Sequence, residues 1–401
     1  MDPRRNPYSP GAGTPPPELA GRDDLIQRAA VALDRIRDGR SARSFILYGL
    51  RGVGKTVLLN RIRSDAEARG FAVVGVEAPE GRSLPGLLVP ALRSTLIKLD
   101  RGEGARVAIR KAQGALASFA EGLKVRFHDI EFGWDSNPEK GVADSGDLDH
   151  DLTDLVAAIG AAAADRKTAV VLFIDELQYV EEKQLGSLIM ALHSASQNQL
   201  PVTMMAAGLP QLVGQSGRAK SYAERLFEFV PIDRLNEQSA RDALTIPARV
   251  EGAAFTDAAI TEILRQTLGY PYFLQEWGKH SWDVADSSPI EENDAKEATS
   301  RALADLDASF FRVRFDRLTR TEQRYMRAMA ELGPGPHRSG TVAKKLGKSV
   351  TEVAPVRNAL ILKGMLYSPS HGDTAFTVPL FDGFMKRIMP APGSGSGARE
   401  D

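Results

Sequence analysis

Eight residues carry the clearest chemistry in this chain: Gly49, Leu50, Arg51, Gly52, Val53, Gly54, Lys55 and Thr56 fit G-x-x-x-x-G-K-[ST] at every fixed position. Glycines at those places let successive backbone N–H groups turn inward around phosphate oxygens. Lys55 brings a point charge to the outer phosphates of a nucleotide, and the Thr56 hydroxyl can ligate Mg²⁺. Val57 continues into the next element and belongs to the same phosphate-binding stretch. A second group follows about 120 residues later, an acceptable spacing for two strands of one sheet. There an apolar run over 170–174 ends in Asp175-Glu176. On its own such a pair would simply be solvated. Beside a lysine-bearing loop it is the equipment of phosphoryl transfer, which asks mainly for positioning and charge neutralisation. Asp175 would hold Mg²⁺, directly or through water. Glu176 would orient and deprotonate the attacking water, and Lys55 would neutralise the transferred group.

These side chains need elements to hold them. Residues 44–48 read as a strand entering the loop. Residues 57–62 open a helix whose N-terminal dipole faces the phosphates. Further strands are expected at 71–76, 169–175 and 202–207, and helices at 23–37, 84–99, 148–164 and 183–197. Strands alternating with helices over residues 20–235 predict a three-layer α/β core with a parallel sheet. Ligands in such sheets bind at the carboxyl ends of the strands, where both motifs fall. The expected division is a flexible leader at 1–17, a core at 18–235 and an all-helical region at 236–306. A distinct unit at 307–391 and a disordered tail at 392–401 follow. The core carries an insertion at about 100–150: Ala-rich helical sequence, then 124–130, which could be a strand, then a Gly/Asp/Ser-rich loop at 133–147. A loop that long is either functional or disordered.

Composition removes several function classes. With no cysteine in the chain, disulfides, thiolate metal sites and thiol catalysis are excluded, and a reducing cytoplasm is the expected location. The first 17 residues lack an apolar h-region, and no apolar run reaches the length of about 18 that a membrane span needs. The net charge of −1 creates no whole-protein field toward nucleic acid or membrane. That figure hides a segregation: residues 307–391 hold 14 Lys/Arg against 7 Asp/Glu, a formal +7 that leaves −8 on the rest. Thr319 and Glu322 form a capping-box pattern before a helix at 322–332. Helices at 339–346 and 351–363 follow, then a hairpin turning at Gly372-Asp373. That is the order of a winged helix. In such folds the third helix enters the major groove of double-stranded DNA while basic side chains contact phosphates. Lys344, Lys345, Lys348, Arg357 and Lys363 are the candidates. Winged helices also dock proteins, and the third helix carries Glu352, Val353, Val356 and Leu360. Both uses stay open.

Three further segments resemble a known family. Leu19-Ala20-Gly21-Arg22-Asp23 resembles the apolar-x-Gly-Arg-(Glu/Asp) signature of the AAA+ branch that holds origin-recognition-like and STAND ATPases. In that branch the segment lies against the adenine, so Gly21 and Arg22 are implied nucleotide contacts. Residues 221–227 are similar to the segment bearing a trans-acting arginine in AAA+ assemblies, and Arg225 is the match. It could equally pair with Glu224 or Glu228. Gly269-Tyr270-Pro271 resembles the Gly-x-Pro of the STAND helical lid, where the proline backs the nucleotide. Asp175-Glu176-Leu177-Gln178 and Gly208-Leu209-Pro210 look like bacterial origin-recognition-like ATP-binding proteins. The resemblance covers residue 18 to about 285 and the terminal unit. It implies a P-loop NTPase core of AAA+ type with an α-helical lid and a C-terminal winged helix. It also implies ATP and Mg²⁺ as ligands and a nucleotide-dependent homo-oligomer. The chain departs from the pattern in two places. The fourth strand ends in 204–208 without a polar sensor residue, Thr203 lying too early, and no arginine stands beside Gly269-Tyr270-Pro271. Both departures imply slow hydrolysis: an ATPase acting as a switch, whose winged helix binds DNA, or a signalling switch whose winged helix docks a protein.

Overall fold

The structure, a computed structural model, describes residues 1–11, 13–100, 106–123 and 138–390. Five short strands, rich in β-branched and aromatic residues, form one parallel sheet: β1 (Ser44–Tyr48), β2 (Ala72–Glu77), β3 (Val170–Asp175), β4 (Val202–Gly208) and β5 (Phe227–Pro231). Their order is β2-β3-β4-β1-β5. Alternate side chains feed two cores. Ile46, Leu172, Ile174, Met204 and Ala206 face one layer of helices, while Phe45, Leu47, Val171, Phe173 and Met205 face the other. A sheet covered on both faces needs continuous apolar strands, which is why β3 and β4 read so clearly in the sequence.

Helices α1 (Asp23–Arg37) and α2 (Lys55–Ala68) lie on one face. The other face carries α3 (Leu84–Asp100), α4 (Arg106–Leu123), α5 (Leu148–Asp165) and α6 (Glu182–Gln197). Helix α4 belongs to the insertion, yet Ile109, Leu116, Phe119 and Leu123 are fully buried in the main core. This part of the insertion is therefore structural. The strand expected at 124–130 and the start of the 133–147 loop lie outside the described residues. At the loop's end, Ser145 and Gly146 amides donate to the buried carboxylate of Asp151, and Asp147 caps α5.

After the short α7 (Gln211–Ala219) and α8 (Ala223–Leu226) the chain is helical: α9 (Glu237–Val250), α10 (Asp257–Thr267), α11 (Pro271–Val284), α12 (Glu292–Ala308) and α13 (Arg312–Asp316). The last unit joins α14 (Arg320–Glu331), β6 (His337–Arg338), α15 (Ser339–Lys345), α16 (Val350–Leu362), β7 (Leu366–Tyr367), β8 (Asp373–Phe376) and α17 (Phe381–Ile388). Its three strands are antiparallel in the order β6-β8-β7. The capping box at Thr319 and Glu322 forms as expected. Apolar side chains of α9–α12 and of this unit share one core, so residue 306 marks no gap in packing. The tail at 392–401 lies outside the described residues. No helix among the described residues is long and apolar enough to cross a membrane.

The leader departs from expectation. Rather than running free, it lies against the helical region: Tyr8 is 4% exposed, and the Trp282 indole N–H donates to the Asp2 carbonyl at 3.0 Å. The physical reason is a single aromatic residue. Composition counts Pro and Gly, but Tyr8 buries a large apolar ring that docks the segment, with Asp2 and Asn6 adding polar contacts.

Candidate nucleotide site

The sheet order puts the carboxyl ends of β1, β4 and β3 side by side, and they open on a cavity of about 650 Å³. Residues 51–57 of the loop line it, together with Asp175 and Glu176. Gly49 passes so close to the Ile232 carbonyl that a Cβ there would lie 2.0 Å from its oxygen. Gly52 and Gly54 take left-handed φ values of 81° and 88°, conformations that cost L side chains energy. Gly49 and Leu50 do not line the cavity. They act through their carbonyls, which accept from the Lys55 ammonium at 3.0 and 2.8 Å.

Burial pushes the Lys55 pKa down to about 8, against the charge of Glu176, which favours the cation. The Thr56 hydroxyl faces the Asp175 carboxylate; burial raises that carboxylate's pKa, and the hydroxyl works against the rise. Asp175 Oδ1 also accepts from the Glu176 amide at 2.8 Å. Glu176 has φ of 53°, an uncommon conformation for a non-glycine residue and one often found at functional sites. Its carboxylate lies 3.8 Å from the Arg51 guanidinium and accepts from the Gln178 amide.

Gln178, in the turn after β3, packs against the end of β4 and does not line the cavity. Its Oε1 accepts from the Leu209 amide at 3.0 Å. A Cβ on Gly208 would lie 2.6 Å from that same oxygen. The bare end of β4 thus makes room for an amide brought by the turn after β3. Thr203 stands deep in the sheet, 3.0 Å from the Ser44 hydroxyl.

The outer wall comes from distant segments. Arg22 donates to the Asp233 carbonyl at 2.6 Å and lines the cavity, and burial lowers its pKa. Gly21, at φ 69°, backs onto Ser239 and does not line the cavity. Pro271 starts α11 and does line it. The following Tyr272 donates its amide to Gly52 at 3.1 Å and stacks on Phe310 at 4.7 Å between centroids. Arg225 is exposed on α8 and is not a lining residue, while Glu228 pairs with Arg28 instead.

Sequence reasoning missed two contributors. Arg314, from α13, lines the cavity with its guanidinium carbon 3.9 Å from the Phe310 ring centroid. Burial lowers its pKa to about 10, and the Arg51 charge adds to the effect. Among the described residues no carboxylate lies within ion-pair distance of it. Only its place in a basic, aromatic stretch at 310–317 hinted at a role. The second contributor is the leader, several of whose residues line the cavity.

Residues 18–205 match the family described as AAA ATPase domain, and residues 308–385 match a domain of unknown function (DUF8462). No protein of curated function matches the chain. Among solved structures, the Walker-type ATPase PABY2304 of Pyrococcus abyssi is 14% identical and has a TM-score of 0.57, over 93% of this chain and 97% of that one. Two others overlap more loosely. The Aeropyrum pernix ORC1 protein in complex with DNA gives 0.45 at 15% identity over 93% and 94% of the two chains. The Thermotoga maritima RuvB Holliday junction branch migration motor gives 0.44 at 15% over 89% and 92%. The core therefore has the P-loop NTPase fold of the AAA+ type. The match to the AAA ATPase domain model reaches into all of the core's strands but β5.

Proposed function

We propose that the cavity binds ATP with Mg²⁺ and hydrolyses it slowly, making the chain a nucleotide-dependent switch. One observation carries this reading: Lys55, the Thr56–Asp175 pair and Glu176 converge in one cavity on a loop whose glycines leave backbone donors accessible. The residues fit the metal. A hydroxyl and a carboxylate facing each other offer hard oxygen ligands, and Mg²⁺ is usually held by one or two protein oxygens together with substrate phosphates. Mg²⁺ bound there would neutralise charge on the phosphates. Lys55 and the loop amides hold those phosphates, and Arg314 adds a cation from outside the core. Arg22 and Pro271 shape the base end, and Gly21 turns the chain that carries Arg22. Glu176 takes the proton of the attacking water, while Gln178 fixes the direction of its carboxylate. Slow turnover is supported by Arg51, whose guanidinium, 3.8 Å away, competes for the Glu176 carboxylate. The test is Glu176→Gln. It should bind ATP like the parent while turnover falls on the order of a hundredfold. Unchanged turnover would remove Glu176 from this role.

The output is the unit at 307–391, read as a DNA-binding winged helix. Two of its five candidate cations are committed internally. Arg357 donates to Thr374, Ser368 and Asp373, and Lys363 to Glu322 and Arg317. Lys344, Lys345 and Lys348 are exposed and carry the reading. A gel-shift series with ATP at rising salt should show steep salt dependence, and Lys344→Ala should reduce the slope by about one contact. Absence of DNA binding would favour the second reading, a protein-docking unit, which Val350 and Leu362 on α16 support at 51% and 76% exposure. Arg225, exposed, acts across a subunit interface if ATP drives assembly. Sedimentation with and without ATP tests this, and a single monomeric species in both would rule it out.

A further inference from the structure

The leader crosses the mouth of the cavity. Upstream it is anchored at Tyr8, whose hydroxyl donates to the Leu244 carbonyl and whose ring sits edge-on to Phe255 at 6.3 Å. Gly278 faces that ring so closely that a Cβ there would lie 2.6 Å from it. Asn6 adds bonds to the Lys279 carbonyl at 3.0 Å and to Asp283 at 2.8 Å. Downstream the chain is fixed again at the buried Ala20. Between these anchors, Ser9, Gly11, Gly13, Thr14, Pro16 and Glu18 line the cavity. A Cβ on Gly13 would lie 3.2 Å from Thr56 Cγ2, so the segment passes directly over the residue that starts the metal site.

This crossing is stiff and weakly bonded. Pro10, Pro15, Pro16 and Pro17 restrict φ and remove amide donors. The bond from the Ser9 amide to Gln275 is long, at 3.4 Å. Among the described residues the segment is held at its ends rather than along its length. We propose that the leader is a removable wall of the nucleotide site, and that release of its Tyr8 anchor gates nucleotide exchange. This rests on the nucleotide reading above. Local opening of such a tether costs less than unfolding the chain, and a ligand behind it leaves at a rate set by the open fraction.

The experiment is a chase. N-methylanthraniloyl-ADP is bound to the full chain with Mg²⁺, and its dissociation is followed after excess unlabelled ADP. Tyr8→Ala should speed dissociation about tenfold or more, as for a lid whose closure limits release. Asn6→Ala, which loosens the tether without opening a core cavity, should speed it several-fold at an unchanged melting temperature. Tyr8→Phe, keeping the ring, should stay nearer the parent. Parent-like dissociation in both Tyr8→Ala and Asn6→Ala overturns the gate. A parent that binds no labelled nucleotide overturns the nucleotide reading instead.

Discussion

The two ends of the cavity are built differently. The phosphate end is local: Lys55 bonds to carbonyls five and six residues away, and Thr56 reaches one strand in the same sheet. The outer wall is an assembly of the leader, the start of α11 and Arg314 on α13, segments far apart in the chain. The side chains of the first end all come from the α/β core. The second exists only when the helical region and the terminal unit are docked. A nucleotide touching both would report on that docking.

This contrast can be broken or sharpened by four measurements. Lys55→Ala should have the largest effect, weakening ATP binding by calorimetry on the order of a hundredfold or more, because a buried cation–phosphate contact is lost. Retained affinity would mean that the phosphate end is not the anchor. Arg314→Ala comes next. It should weaken ATP about tenfold, as expected for one charge-assisted hydrogen bond, and weaken ADP less. Equal losses for both nucleotides would place Arg314 away from the terminal phosphate.

The third measurement is pH. The folded-state pKa of Lys55 lies near 8, below its ordinary 10.5. Between those values the unfolded chain holds a proton that the folded chain does not. The cost of burying the ammonium is therefore present below about pH 8 and is relieved as pH rises toward 10.5. ATP affinity should move the opposite way, falling above about pH 8 as the ammonium is lost. A pH-independent affinity from 7.5 to 9.5 in calorimetry would count against Lys55 as the charged contact. The smallest effect is Thr319→Ala, which removes the cap of α14. It should cost about 1 kcal/mol in a denaturant melt and leave nucleotide binding unchanged. A change in binding would show the outer wall to be sensitive even to distant loosening of the terminal unit.

Legibility follows the same division. The parallel three-layer core and both motifs were readable because buried parallel strands are continuous apolar runs and a phosphate loop needs glycine at fixed places. Arg314 was not, because nothing in a basic stretch says which cation will be buried against Phe310. Gln178 was hidden for another reason. The expectation looked for a polar residue on β4, whereas the amide that bonds to Glu176 sits in the neighbouring turn, with Gly208 leaving space for it. The docked leader was masked by its prolines and glycines; α4 was read as helical, but nothing in its sequence told that it packs into the main core.

One bond described by neither end remains. The Arg51 amide donates to the Thr377 carbonyl at 3.0 Å, main chain to main chain, tying the phosphate loop to the terminal unit. Alanine scanning does not delete such a link, although the buried Thr377 hydroxyl, bonded to the Gly364 and Met365 carbonyls, helps to place it. Substitutions that preserve the backbone will leave this joint intact. It would be found only by probes of the amide itself, such as hydrogen exchange at Arg51 or an ester in place of the peptide group.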